Sequence, residues 1–588
     1  MKEQGIQHMW NHTTIDEPLN CIDDNFPMKT YRDGQKEAIE FAVKAFSKGK
    51  KIVILECPTG SGKSPIGMTL ANMSTSAYYL TITKILQDQL ITDFGDEITE
   101  LKGRNAYPCT FWDRRGKDLV SRKGMKQAAL NRMLTEKPGC DAGYCRKQKN
   151  KNNYKCTDCF PVGESNGTLA VLPVGMEYSA CPYYEQVYQA INNKKISMNF
   201  SSFLYQTQMT NRFDEPRGLM VIDEAHNLEP QLLDFISLTF NDIHLQKEGI
   251  IIPKYNDPHQ YAEWFLNNKI DIVLNSLIQK ARKDENIELE DEIKRLYQKF
   301  QMFMDHIAET GSDWVVEFTE SDRGGGPSHR SVTLKPVFIQ KFADELLFKY
   351  ADKILLMSAT ILDVGVVCNS LGVSRDDVAA YRMKNRFPVE NRPIYIKPVA
   401  KMTGGVSKMN SDWGEKLVTG VEEILELYEG QRGIIHTHNF AIANLLIEKC
   451  KTNYVNRFFF QKDFFNNKKK MLKEHAKSRD GIIVAPAMHE GIDLHDDLSR
   501  FQIICKVPYA NCFDDKQLAA RVEVDRQYYT WLTALKLVQS YGRSIRSKDD
   551  YADTYIIDES IYYFMKQANK MLPDWFKEAV REYVETPF

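Results

Sequence analysis

The sequence predicts an α/β protein of two parallel-sheet units interrupted by two insertions. Three observations carry that reading. Short β-branched runs alternate with helical stretches early in the chain, resume near residue 353 and continue in a second series from about 385. A segment rich in Lys, Asn, Gly and Cys, 103–179, breaks the alternation. A second break, 230–335, carries helical periodicity instead. The 588 residues imply roughly four domains at about 150 residues each. Apolar residues at 43% and charged residues at 27% are ordinary for a globular chain. No apolar run reaches the ~18 residues of a membrane span, and the polar N-terminus lacks a secretion signal's apolar core. An intracellular setting is expected, the cytoplasm or, in a eukaryote, the nucleus.

The elements follow in order. Residues 51–56, Lys-Ile-Val-Ile-Leu-Glu, read as a buried strand because they are short, β-branched and followed by a Pro/Gly turn. A helix is expected from near Gly62 through Leu70, a strand over 77–82, a helix over 85–91 and a strand over 218–222. In the second break, Leu289, Ile293, Leu296, Phe300, Phe303 and Ile307 recur at spacings of four and three, and 270–278 carries another stripe. A helical hairpin is expected there. Further strands are expected over 353–357, near 433–436, over 481–485 and over 501–507.

Three motifs carry chemistry. Residues 57–64, Cys-Pro-Thr-Gly-Ser-Gly-Lys-Ser, lie between a strand and a helix, as a phosphate-binding loop requires. Thr59, Gly60, Ser61 and Gly62 would curl backbone N–H groups around phosphate oxygens. Lys63 would reach the β and γ phosphates, and Ser64 would ligate Mg²⁺. Cys57 replaces the usual first glycine, and Pro65 fits a first helical turn. Asp223-Glu224-Ala225-His226 follows a hydrophobic strand. Asp223 is assigned to Mg²⁺ and Glu224 to water activation. Downstream, Gln539, Arg543 and Arg546 lie in a basic stretch whose arginines suit the charge that phosphoryl transfer spreads over the γ-phosphoryl group. These groups imply ATP and Mg²⁺ as ligands.

With these motifs in order, the chain resembles superfamily-two helicases of the XPD/DinG group. Tyr31-Arg32-Asp33-Gly34-Gln35 is similar to the group's adenine-side motif, which brings Arg32 and Gln35 into the nucleotide site. Residues 81–89 resemble its first DNA-contacting motif, and Met357-Ser358-Ala359-Thr360 the motif coupling nucleotide state to nucleic-acid grip. Residues 489–494, with Gly491 and Asp493, followed by 506–508, resemble its fifth motif. The resemblance spans about 30–560. It implies two RecA-like P-loop motor domains, the first from 1–102, 186–229 and 336–384 and the second from 385–588. It also implies an iron–sulfur domain over 103–185 and a helical arch over 230–335. ATP-dependent 5′→3′ movement on single-stranded DNA with duplex unwinding is the implied activity. A single-strand translocase that remodels R-loops or proteins stays open as an alternative, as does a non-catalytic, metal-bearing nucleic-acid binder.

Six of the twelve cysteines fall within 109–181. Clustered cysteines in an intracellular chain read as metal ligands rather than disulfides. A [4Fe–4S] cluster takes four thiolates. Cys109 and Cys181 match positions of the resembled group. Cys156 and Cys159 are preferred as the other two for their two-residue spacer, with Cys140 and Cys145 as alternates. Zinc held by Cys140, Cys145, Cys156 and Cys159 is the competing reading.

The net charge of −2 hides an uneven distribution. Between residues 102 and 155 stand 15 Lys or Arg against 4 Asp or Glu, a local +11. Such a block binds phosphates without reading sequence. Arg104, Tyr107, Phe111 and Trp112 set aromatics beside cations, as stacking on unpaired bases needs. Single-stranded or forked DNA is the expected partner, with DNA–RNA hybrids open, for a motor that acts as a monomer and contacts no membrane.

Overall fold

A computed structural model describes residues 21–109, 139–140, 164–165, 168–169 and 181–582, apart from 211, 246–247, 285, 309–312, 322–328, 403–412, 465–466, 487–493 and 546. Ahead of the phosphate loop lies helix α1 (Gln35–Ser47). Strand β1 (Ile52–Glu56) then turns into α2 (Lys63–Met73). Next come β2 (Ala77–Thr81) and β3 (Thr99–Leu101). After the first insertion, α3 (Pro182–Asn192) leads to β4 (Lys195–Asn199) and β5 (Arg217–Asp223). Helix α4 (Leu228–Ile236) follows the Asp-Glu-Ala-His box.

The second insertion departs from the expected all-helical form. Its hairpin is present as α5 (Ile270–Lys283) and α6 (Ile287–Ala308), the longest helix described. It packs with a three-stranded antiparallel sheet of β6 (Leu238–Asn241), β7 (Trp314–Ser321) and β8 (His329–Pro336), in the order β6-β8-β7. Phe240, Phe265, Phe300 and Phe303 join strand and helices in one core. The sheet escapes the periodicity because β6 pairs with β8 across about ninety residues, register Phe240 to Val332.

The chain then returns through β9 (Ala351–Ser358), α7 (Val364–Leu371) and β10 (Val378–Arg382). The first sheet has the order β10-β1-β9-β5-β2-β4-β3 and every pairing in it is parallel. Strands β1, β2 and β5 are buried along their whole length, as parallel strands covered on both faces must be. That explains the apolar runs 52–55, 77–80 and 219–222 within them.

The second sheet uses β11 (Ile394–Ala400), β12 (Gly433–His436), β13 (Phe458–Phe460), β14 (Ile482–Ala485), β15 (Phe501–Ile504), β16 (Asp553–Asp558) and β17 (Val580–Glu582). Its order is β13-β14-β12-β15-β16-β11-β17, again all parallel. Between β15 and β16 run α8 (Lys516–Val524) and α9 (Arg526–Tyr541). Among the described residues no helix is long and apolar enough to cross a membrane.

Candidate nucleotide site and cysteine cluster

The phosphate loop forms where β1 ends and α2 begins. Gly60 and Gly62 take φ of 80° and 79°, a left-handed backbone that costs glycine little. At Gly62 space also forbids a side chain: a Cβ would lie 2.3 Å from Gln35 Nε2. That amide donates to Gly62 O at 2.9 Å, and Arg32 donates to Gly60 O at 2.7 Å. Gln35 Oε1 accepts from Arg32 N at 2.6 Å. Arg32 and Gln35 thus brace the loop backbone. The Ser61 hydroxyl is buried without a hydrogen-bond partner, an orphan a phosphate oxygen would satisfy. Pro65 is the third residue of α2, where a missing N–H is harmless.

Strand β5 delivers Asp223 and Glu224 opposite this loop. Lys63 Nζ stands 3.2 Å from Glu224 Oε1. Glu224 has φ 54°, a left-handed turn that swings its side chain off the strand. Burial raises Asp223 and the Glu224 charge adds to it, with Lys63 opposing. Burial also pushes Glu224 up, but Lys63, His226 and Arg543 outweigh it and hold Glu224 below its ordinary value. Lys63 stays protonated because the two carboxylates overcome its burial. The pair therefore presents one carboxylate held ionised and one whose ionisation a divalent cation would favour. Asp223 at a strand end and Ser64 at the helix start fit Mg²⁺, and Ser64 neighbours the buried Tyr79.

The second sheet reaches the same place through α9. Gln539 Nε2 lies 2.6 Å from His226 Nε2, joining residues 313 apart in sequence. It also lies 3.4 Å from Thr360 Oγ1. His226 Nδ1 is 2.7 Å from Ser358 Oγ and 3.4 Å from Glu224 Oε2. Gly542 at the end of α9 lies against Thr59. Arg543 Nε donates to Gln539 O at 3.1 Å, and its charge is felt at Glu224. The structure thus brings together Arg32, Gln35, Thr59, Gly60, Ser61, Gly62, Lys63, Ser64, Asp223, Glu224, Gln539 and Arg543. Gly491, Asp493 and Arg546 lie outside the described residues. The sequence reading gave no role to His226, which links the carboxylate box, the Ser358/Thr360 strand end and α9. Its signal was present: it is the fourth residue of the box.

The first insertion is joined at its base by aromatics. Arg104 lies over the rings of Tyr183 and Tyr184 at 4.7 and 5.1 Å and donates to Tyr184 Oη at 2.9 Å. Tyr107 packs edge-on to Tyr183 and accepts from Lys102 N. Lys102 is paired with Asp88 and Glu100. Arg104 and Tyr107, expected to stack on unpaired bases, instead tie the outgoing and returning segments together. Phe111 and Trp112 lie outside the described residues.

Pro108 bridges Gly139, which sets Cys140 beside this junction. Cys140 Sγ is 3.7 Å from Cys181 Sγ, and Cys109, Cys140 and Cys181 are all buried and unbridged. Cys140, the alternate, is thus the one found at Cys181. The preferred Cys156 and Cys159, and Cys145, lie outside the described residues. Among the described residues no three such side chains stand close enough to hold a metal.

A loop shaped to cradle phosphate, an acidic box beneath it and an arginine-bearing helix end from a second parallel sheet together make a candidate nucleotide site between two parallel-sheet units. Comparison with known proteins agrees. The family described as type III restriction enzyme, res subunit, matches residues 28–248, and the helicase C-terminal domain family matches 421–579. The chain is similar to the ATP-dependent DNA helicase CHL1 of Candida albicans, 29% identical over 115 residues, 17% of this chain and 13% of that protein. For CHL1 of Kluyveromyces lactis the figures are 23% over 121 residues, 18% and 15%. The matched stretch thus spans less than a sixth of these relatives' length. Among solved structures, an XPD helicase superposes with a TM-score of 0.57 at 14% identity over 95% of this chain and 100% of that one. The Xpd4 protein of S. tokodaii superposes with 0.52 at 12% identity over 94% and 100%. The chain thus matches the res-subunit and helicase C-terminal families over separate stretches and shares the fold of the XPD helicases.

Proposed function

We propose that the protein is an ATP-dependent DNA helicase. ATP and Mg²⁺ bind between the two motor domains, and their opening and closing moves the chain along a single strand, 5′→3′ as in the resembled group. The observation that carries this is the Gln539–His226 contact, which closes the second domain onto the carboxylate box of the first. Lys63 neutralises the β and γ phosphates, and Ser64 and Asp223 hold Mg²⁺, which supplies charge neutralisation at the transferring group. Glu224, held ionised, orients and deprotonates the attacking water. Arg543, with Arg546, meets the charge spread over the γ-phosphoryl group. Because Arg543 comes from the second domain, hydrolysis depends on closure.

The cysteines fit a thiolate-held [4Fe–4S] cluster in part. Cys140 and Cys181 supply two adjoining buried thiols, and Cys109 with one of Cys145, Cys156 or Cys159 would have to close in to complete the set. Bound there, the cluster would hold a small domain rigid. A rigid domain suits duplex separation, and the basic block of this insertion suits DNA phosphates. ATPase activity with and without single-stranded DNA, combined with unwinding of 5′- and 3′-tailed duplexes, tests the reading. Stimulation with unwinding of the 5′-tailed duplex is expected. Stimulated hydrolysis without strand displacement would make the protein a translocase, and no hydrolysis would refute the motor.

A further inference from the structure

Away from the nucleotide, α8 and α9 reach both the sheet of the second insertion and the first motor domain. Lys516 and Gln517 donate to Val316 O and Val337 O, at 3.0 and 2.9 Å. Trp531 Nε1 donates to Ile361 O at 2.8 Å. At the junction of the two helices lies a buried charge cluster. Arg521 is 2% exposed and its guanidinium lies between the rings of Phe338 and Tyr528, at 4.8 and 4.3 Å. Its Nε is 3.5 Å from Glu229 Oε1, its Nη2 donates to Ser370 Oγ at 3.2 Å and its Nη1 to Asp525 at 3.3 Å.

The partners are placed tellingly. Glu229 sits on α4, three residues beyond His226. Ser370 sits on α7, the helix that follows the Ser358/Thr360 strand end. Arg521 sits on α8, and Tyr528 sits on α9, the helix that carries Gln539 and ends two residues before Arg543. The elements that carry the nucleotide contacts of both domains therefore meet a second time at this cluster. An ion pair this deeply buried does not open and reclose cheaply, because separating it leaves an uncompensated charge. Helix α9 is then held at both ends: at its start by the cluster, at its finish by His226.

We propose that Glu229 and Arg521 form a latch between the motor domains that positions α9, and through it Arg543, over the nucleotide. They are positioning residues and touch no substrate. The inference rests on the functional reading above, and its test separates the two. Glu229→Gln keeps the shape and removes the charge. In the full-length protein with saturating single-stranded DNA, kcat for ATP hydrolysis falls at least about tenfold while KM for ATP changes less than about twofold. In an Arg543→Ala background the same change costs no further activity, because the group it positions is already gone. Amide hydrogen exchange at 536–542 rises, and exchange at 63–73 does not. Ser370→Ala, which removes one hydroxyl, gives the same pattern more weakly and serves if Glu229→Gln fails to fold. Unchanged kcat and unchanged exchange at 536–542, with only a lower Tm, would overturn the latch. A wild-type protein without DNA-stimulated hydrolysis would instead refute the motor, and the exchange comparison would still decide whether the latch holds α9.

Discussion

The nucleotide cleft and the cysteine-bearing insertion solve the same problem, collecting side chains from distant parts of the chain, by different means. In the cleft each contributing segment is anchored to a parallel strand or a long helix. Lys63 follows β1, Glu224 follows β5, and Gln539 ends α9. Their geometry is fixed by sheets whose inner strands, β1 and β5 among them, are fully buried. Among the described residues of the insertion, the contributing segments are joined by a bridge from Pro108 to Gly139 and a stack of Arg104 on Tyr183 and Tyr184. A site built on a scaffold has its side chains placed by the fold. A site built on loops needs its ligand to finish the placement, which is how metal–thiolate domains gain folding energy.

Substitutions break that comparison from its strongest point downwards. Lys63→Ala abolishes ATP hydrolysis, measured by phosphate release, because Glu224 and the phosphates both lose their cation. Normal turnover would remove the loop from the mechanism. Arg543→Ala lowers kcat by about 10³-fold or more with nucleotide binding retained, as expected for a charge supplied only in the transition state. A matched rise in KM would show that it merely binds ground-state nucleotide.

In the insertion, Cys140→Ser removes iron and the absorption near about 400 nm of anaerobically purified protein, impairing unwinding more than hydrolysis. Absorption that survives Cys140→Ser and disappears in Cys156→Ser would restore the paired-spacing assignment. A colourless protein that contains zinc would sink the cluster.

A smaller effect lies in the scaffold of the second domain. Burial holds the His475 imidazole down at about 4, and its Nε2 lies 3.1 Å from Gly481 O. Its Nδ1 is buried without a partner, so a second proton has nowhere to go. A histidine whose folded value is depressed contributes stability above about 6.5 that is lost as pH falls towards 4. The loss is on the order of 3 kcal/mol, read as a falling Tm, and His475→Gln flattens the profile.

What was legible in the sequence follows the same division. The loop at 57–64 and the box at 223–226 are contiguous, so spacing alone carried them. Strands β1, β2, β5 and β12 announced themselves because burial on both faces demands unbroken apolar runs. The bracing of the loop by Arg32 and Gln35, the bridge through His226 and the cluster around Arg521 were not legible. Each depends on side chains that tertiary packing brings together from segments with no shared pattern. The sheet of β6, β7 and β8 was hidden for the same reason, since its long-range pairing leaves no local period beside the strong stripe of α6. Among the cysteines, a two-residue spacer favoured Cys156 and Cys159, whereas the fold sets Cys140 at Cys181 through a one-residue bridge 31 residues downstream of Pro108.

The central claim is that two domains close on one nucleotide and convert its hydrolysis into movement on DNA. The most direct measurement is the steady-state ATPase rate of wild-type and Arg543→Ala protein with and without single-stranded DNA. The account predicts strong stimulation by DNA in the wild type and its loss in the variant, with nucleotide still bound. A wild-type rate indifferent to DNA, or a variant stimulated as strongly as the wild type, would contradict it.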